Sequence, residues 1–395
     1  MRLNSNLERI MQEPYPFDAV DAAKKKAALK FGADFIIDFG IGDPTDETPA
    51  QIRAACRKAV DARKTSGYPA STGSQEFREA VCGWMQRRFN VSLRPEEVVS
   101  TYGAKYASFH IPSYFINPNS GEAALITNPG YPPYTDGTIL AGGVPHYLNL
   151  LQENDFLPLF DSIPKETEKK AKILFLNSPN SPTGIVYPKE KLREAVDFCN
   201  DNGVVLVSDE CYSELFFGEK PMSILQIKGA ERCSVVLNSL SKRSMMTGYA
   251  VGFFASKNPD LLRPFALITR KSTQGIATFI QDAAAAAWSD EKHTEKMRKI
   301  YGDRMEALIP ALREIGCGVK KPQGTFFLWA RVPEGKTPAE FHQWLLLEKG
   351  INTVPGDSVS HSFGGVNPGE RFVRFAMVPH LQRTKEAAKR LLERG

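Results

Sequence analysis

Between Val98 and Ala255 the chain alternates short apolar, β-branched runs with stretches of helical periodicity. The runs are Val98-Val-Ser-Thr, Ala123-Ala-Leu-Ile-Thr, Ile173-Leu-Phe-Leu, Val204-Val-Leu-Val, Val235-Val-Leu and Val251-Gly-Phe-Phe. Apolar strands separated by helical stretches predict a mostly parallel sheet covered by helices, an α/β fold. Each run gives way to polar or Gly/Pro-rich sequence: Tyr102-Gly-Ala-Lys105, Asn128-Pro-Gly-Tyr131, Asn177-Ser-Pro-Asn-Ser-Pro-Thr-Gly184, Asp209-Glu-Cys-Tyr212 and Ser239-Leu-Ser-Lys242. Ligands of open α/β sheets bind beyond the carboxyl ends of the strands, so these five segments are expected to converge on one cleft.

Outside that region, Ala19 to Phe31 reads as an early helix, and Asp282 to Ile315 as one long helix bent near Pro310. The remainder, with apolar runs Thr325-Phe-Phe-Leu-Trp-Ala and Phe372-Val-Arg-Phe-Ala-Met-Val and helices near Pro338–Lys349 and Gln382–Arg394, reads as a smaller α+β domain. A chain of 395 residues exceeds one ordinary core. The expected division is an N-terminal arm with part of the small domain (1–45), a large domain (46–285) and a small C-terminal domain (286–395).

Composition narrows the function classes. Charged residues make up 24% and hydrophobic residues 42%, values of a globular rather than disordered or membrane chain. The net charge of +5 is spread along the chain, and Lys24-Lys25-Lys26 reads as a solvated helix face, so no nucleic-acid partner is expected. Six cysteines lack any C-x-x-C or His spacing that would hold zinc, so no metal is expected and the thiols read as reduced. No segment has the ~20 apolar residues of a membrane span. The opening residues carry no apolar signal core, and a cytoplasmic location is the expectation.

The candidate chemistry lies at two strand ends. Lys242 closes an apolar run with Ser239 and Ser241 just ahead of it, an arrangement suited to a carbonyl nucleophile beside an anion site. Asp209 closes another, where a buried strand would ordinarily exclude a charge.

With Asn177-x-Pro-x-x-Pro-Thr-Gly184, Asp209-Glu-x-Tyr212 and Ser239-x-Ser-Lys242 in that order, the chain resembles the fold type I pyridoxal-phosphate aminotransferases of the aspartate aminotransferase superfamily over nearly its whole length. The resemblance implies a large domain with a seven-stranded type of sheet, a smaller α+β domain, pyridoxal 5'-phosphate as cofactor and small amino and keto acids as substrates. It implies that Lys242 bonds to the cofactor aldehyde and, once displaced by the substrate amine, carries the proton. Asp209 would face the pyridine nitrogen, Tyr212 the phenolic oxygen and Tyr131 the ring face. The phosphate would take the amides of Gly103, Ala104 and Lys105 at a helix start and the hydroxyls of Ser239 and Ser241. Tyr68, in Tyr-Pro-Ala-Ser-Thr-Gly73, matches a tyrosine that reaches the phosphate from a partner subunit, which implies a homodimer with a shared active site. Arg374 would bind the substrate carboxylate, flanked by the backbone of Gly42.

Two positions depart from the family pattern. Its phosphate-gripping arginine, eight residues after the lysine, is Ala250 here, so Arg243 or Lys105 is expected to compensate, or the cofactor to be held less tightly. The asparagine usual before Pro-Thr-Gly is Ser181, with Asn180 one place earlier, and either can serve the phenolic oxygen.

Within the superfamily, Leu3-Asn-Ser-Asn-Leu-Glu-Arg with Pro14-Tyr-Pro-Phe17, Ser208 to Leu215, Ser239 to Ser244 and Gly365 to Glu370 are similar to diaminopimelate-pathway aminotransferases of lysine biosynthesis. N-succinyl-diaminopimelate aminotransferases come first and LL-diaminopimelate aminotransferases next. The implied reaction moves an amino group from an amino acid, with glutamate the expected donor, to a keto acid such as N-succinyl-2-amino-6-oxopimelate. The alternatives are an LL-diaminopimelate, aspartate or aromatic aminotransferase, a carbon–sulfur β-lyase on the same cofactor, or a non-enzymatic cofactor-binding module.

Overall fold

A computed structural model describes residues 3–12 and 17–393. Pro14 to Pro16 of the opening motif and Arg394 of the last expected helix lie outside the described residues. Twelve strands are described: β1 (Ile37–Asp38), β2 (Val98–Thr101), β3 (Ala123–Asn128), β4 (Val144–Asn149), β5 (Ala171–Asn177), β6 (Val205–Asp209), β7 (Ser234–Ser239), β8 (Gly252–Ala255), β9 (Phe327–Arg331), β10 (Ile351–Asn352), β11 (Val354–Pro355) and β12 (Phe372–Ala376).

Seven of them form one sheet in the order β2-β8-β7-β6-β5-β3-β4. All are parallel to their neighbours except β8, which runs antiparallel to both β2 and β7. The six strands expected from the apolar runs are all present. The seventh, β4, escapes a hydrophobicity reading because it is an edge strand, half exposed, with Pro145 in it.

Helices cover both faces of the sheet. One face packs Phe77, Trp84, Phe253 and Trp288, and the other Tyr134, Phe175, Phe254 and Phe265. A separate core joins Met297, Tyr301 and Leu308 to Phe326, Leu328, Phe341 and Phe375, around the antiparallel set β11-β12-β9. Ile37 and Phe39 belong to that second core, and β1 pairs with β10.

The expected single helix from Asp282 to Ile315 is two, Thr278–Trp288 and Lys292–Glu314. Asp290, between them, accepts hydrogen bonds from the His293 ring and the Lys292 amide, a local alternative to the helical ladder. Pro310 lies inside the second helix on its exposed side, as does Glu306, whose carbonyl loses its helical donor but can turn to water.

Candidate active site

Sheet topology brings the predicted segments to one edge. β5, β6 and β7 are parallel neighbours, with Asn177 opposite Asp209 and Asp209 opposite Leu237, so their carboxyl ends lie side by side. β2 and β7 are each antiparallel to β8 and hence parallel to one another, so the helix Gly103–His110 starts at the same edge. A side chain at Gly103 would stand 3.7 Å from the Ser239 hydroxyl, and the positive φ of 69° there suits glycine. Asn238 sews the loops together, donating to the carbonyl of Glu210 at 2.9 Å.

Asp209 is buried, yet its two oxygens meet only neutral donors, the Tyr134 hydroxyl at 2.6 Å and the Cys211 amide at 3.1 Å. Burial pushes its carboxyl above the ordinary value, and the bonds from Tyr134 and Cys211 pull it part of the way back. Such a carboxylate gains from an N–H cation brought within reach, as a protonated pyridine would be.

Lys242 lies in the four-residue helix Leu240–Arg243, and its ammonium donates to the carbonyl of Gly42 and sits 5.5 Å from the Phe326 ring. Burial pushes its pKa down to about 8; Asp43 and Cys211 pull against that fall and Arg374 adds to it. An amine so placed is a substantial nucleophile near neutrality. Gly42 is required there, because a β-carbon would come within 2.8 Å of the Phe327 ring.

Arg374, in the middle of β12, is buried, donates to the Gly40 carbonyl at 2.7 Å and stacks over Phe327 at 4.7 Å and Phe17 at 5.1 Å. Burial holds the Tyr212 phenol above its usual range, with Ser181 as a hydrogen-bonding neighbour. Asn180 is fully buried, and its side-chain oxygen accepts from the Thr183 hydroxyl at 2.7 Å, inside its own turn. Ser181 thus stands beside Tyr212, while Asn180 braces the loop through its oxygen and keeps a buried side-chain N–H with no partner, so both remain able to serve the phenolic oxygen.

Ser239 and Ser241 share a hydrogen bond of 3.0 Å at the start of the lysine helix. Tyr131 precedes the helix Pro132–Leu140 and meets Tyr134 edge to face at 5.8 Å. A cavity of about 250 Å³ opens beside it, lined by Thr135, Tyr147 and His361 among others, and includes none of Lys242, Asp209 and Arg374. Lys105 is exposed, and Tyr68 is 85% exposed, open to a second chain.

Arg243 corrects an expectation. Its guanidinium points away from the serines, donating to the carbonyls of Ala287 at 2.6 Å and Asp290 at 3.1 Å and to the Glu291 carboxylate at 3.1 Å. It lies against the rings of Trp84 and Trp288. Beside Lys242 in sequence, it is turned about 100° further round the helix and faces a different neighbourhood.

Sequence reasoning missed two residues. Tyr134 holds Asp209, and Asn177 bridges two motifs, accepting from the Ser181 amide at 2.7 Å and donating to the Asp209 carbonyl at 2.9 Å. Tyr134 stands one helical turn after Tyr131, the only sequence cue that the pair shares a face.

A parallel sheet whose carboxyl edge gathers a desolvated lysine, a buried aspartate with neutral partners and a hydroxyl-lined helix start defines a pyridoxal-phosphate transaminase of fold type I. The model of aminotransferases class I and II matches residues 35–394, and the chain belongs to that family. It is 39% identical over 381 residues to the LL-diaminopimelate aminotransferase of Aquifex aeolicus, covering 96% of each chain. It is 38% identical over 399 residues to LL-diaminopimelate aminotransferase 2 of Trichormus variabilis, covering 100% of this chain and 99% of that one. Among solved structures, an aminotransferase from Neisseria meningitidis is similar at 31% identity and TM-score 0.90, with 99% of both chains covered. Substrate-bound BacF from Bacillus subtilis is similar at 30% identity and TM-score 0.89, over 99% of this chain and 97% of that one.

Among the described residues no helix is long and apolar enough to cross a membrane.

Proposed function

We propose that this transaminase exchanges amino groups between LL-diaminopimelate and a small keto acid, with glutamate and 2-oxoglutarate as the other pair, and that it works in the cytoplasm as a homodimer. The names of its full-length relatives favour LL-diaminopimelate. The motifs shared with N-succinyl-diaminopimelate aminotransferases favour the succinylated keto acid as the second reading. The outward-facing Tyr68 supports an active site shared between two copies.

The desolvated amine of Lys242 carries the proposal. When bound, pyridoxal 5'-phosphate supplies an aldehyde that condenses with amines and a protonated ring that accepts the electron pair left at the substrate Cα. Asp209 holds the proton on that ring nitrogen, and Tyr134 keeps the carboxylate aimed. Ser239, Ser241 and the amides of Gly103, Ala104 and Lys105 hold the phosphate. Tyr212, with Ser181 beside it, binds the phenolic oxygen, and Tyr131 covers the ring face. Arg374 takes the substrate carboxylate, its guanidinium positioned over the Phe327 ring. Lys242, its amine free once the substrate amine has taken its place, would carry the proton lost from the substrate Cα.

The test is an absorbance titration of protein reconstituted with pyridoxal 5'-phosphate. LL-diaminopimelate should abolish the visible band of the lysine-bound cofactor, and 2-oxoglutarate should restore it. A response to glutamate and to N-succinyl-diaminopimelate but not to LL-diaminopimelate transfers the assignment to the succinylated substrate. Pyruvate and ammonia as products would indicate a β-lyase.

A further inference from the structure

We infer that this chain keeps its cofactor mainly through the covalent bond to Lys242, and that it lets go of the aminated form, pyridoxamine 5'-phosphate, between half-reactions. The inference rests on the transaminase reading and concerns how the phosphate is gripped.

The donors that line the phosphate position are neutral. They are the backbone amides at the start of the helix Gly103–His110 and the hydroxyls of Ser239 and Ser241. Even these hydroxyls are partly spent. The Ser239 oxygen accepts from the Ser241 amide at 3.2 Å, and its single proton is shared between the Ser241 hydroxyl at 3.0 Å and the Val251 carbonyl at 3.2 Å.

Two places could have supplied a cation, and neither is arranged to do so. Position 250 is alanine, exposed and in a left-handed conformation with φ 48°, and its side chain ends at the β-carbon. Arg243 is 1% exposed, and both its terminal nitrogens are bound to Ala287, Asp290 and Glu291 on the far side of the helix.

A charge-assisted hydrogen bond is about twice as strong as a neutral one. Its absence at the phosphate corresponds to roughly 10- to 100-fold weaker non-covalent retention. The covalent bond conceals this while the aldehyde form is bound. In the donor half-reaction that bond to Lys242 is broken, the donor's amino group stays on the cofactor, water supplies the oxygen of the departing keto acid, and Lys242 regains a free amine. From then until a keto acid arrives, only non-covalent contacts hold the ligand.

Wild-type holoenzyme is treated with L-glutamate without any keto acid and passed through a desalting column, and pyridoxamine 5'-phosphate is measured in both fractions. It should leave with the small molecules from the wild type and stay with Ala250→Arg. Titrated into the apo protein, pyridoxamine 5'-phosphate should bind the wild type roughly 10- to 100-fold more weakly than the variant, whereas phosphate-free pyridoxamine should bind both alike. Should the variant not fold, the wild type alone decides: its preference for pyridoxamine 5'-phosphate over pyridoxamine should stay below about 100-fold. Retention of the ligand by the wild type, or equal affinity in the two proteins, overturns the inference. A wild type that never develops the lysine-bound band with pyridoxal 5'-phosphate overturns the transaminase reading itself, so the two failures are told apart.

Discussion

Two cations stand side by side in the sequence and meet opposite environments. Lys242 faces the cleft, with one carbonyl and an aromatic ring as neighbours, and burial drives its pKa down to about 8. Arg243 faces the core behind it, in a polar knot with Ala287, Asp290, Glu291, His293 and two tryptophans. Burial lowers the pKa of Arg243 as well, but a guanidinium starts so high that it stays charged, and Glu214 and Glu291 favour that charge. The contrast separates two uses of a buried charge. Where partners are nearly complete, the charge fixes the fold; where they are sparse, it is ready to react.

Replacing Lys242 gives the largest expected effect. Lys242→Ala should lower kcat by at least about 10⁴-fold, because covalent anchoring and proton transfer are lost together, while the melting temperature holds or rises. Steady-state rates and thermal unfolding measure the two halves. Multiple-turnover activity in the variant would remove Lys242 from its role.

Asp209→Asn comes next. It keeps the volume and loses the charge, so kcat should fall about 10²- to 10³-fold as the ring nitrogen loses its anionic partner. The sign for stability is opposite. A carboxyl whose folded pKa lies above its unfolded value makes the apo protein lose stability as pH rises between the two, so at neutral pH Asp209 is a net cost. Apo Asp209→Asn should therefore melt no lower than the apo wild type, and a large drop would make Asp209 a structural residue.

Arg243→Met reverses the pattern. The carbonyls of Ala287 and Asp290 lose their donor in a buried place, a loss of about 2–3 kcal/mol in denaturant unfolding. The affinity for pyridoxal 5'-phosphate should change less than about threefold, since the guanidinium points away from Ser239 and Ser241. A tenfold loss of cofactor affinity would return Arg243 to the phosphate.

How much of this was legible follows from what a linear sequence encodes. The strand ends were legible because an apolar run that stops at a charge is conspicuous, and Lys242, Asp209, Ser239 and Gly103 all lie at such ends. The parallel sheet followed from the alternation of elements. The side of a helix on which a residue falls was not legible: Arg243 reads as a cation beside an anion site until the step of about 100° between consecutive helical residues turns it away from the cleft. Asn180 and Ser181 were ambiguous for a related reason, since only the folded loop shows the oxygen of the first caught on Thr183, its buried N–H left unpartnered, and the second beside Tyr212. Edge strand β4 and the break at Asp290 were hidden by polar alternation and by a side chain competing with the helical ladder.

The pH dependence of Lys242 sharpens the contrast further. Apo protein mixed with pyridoxal 5'-phosphate should form the lysine-bound band at a rate that climbs about tenfold per pH unit and levels near pH 8, since only the neutral amine attacks. A rate still climbing at pH 10 would mean that the cleft leaves the amine as hydrated as a surface lysine.

Ser244→Ala probes the same knot with the smallest expected change. The Ser244 hydroxyl lies 2.8 Å from His293 Nε2, and His293 Nδ1 lies 2.6 Å from Asp290. With Asp290 accepting from Nδ1–H, the neutral ring offers Nε2 to Ser244 and to an Arg243 nitrogen at 3.4 Å. Burial, then Arg243, pulls the His293 pKa below its usual value, against the pull of Asp290. The unfolded chain therefore binds this proton at a pH where the folded one does not, and stability falls as pH drops below about 6.5. Ser244→Ala should cost about 1 kcal/mol near pH 7.5 and leave the spectrum of the lysine-bound cofactor unchanged. A shift in the pH midpoint of that spectrum would show that the knot reaches through the helix Leu240–Arg243 to the amine, and the two faces would no longer be independent.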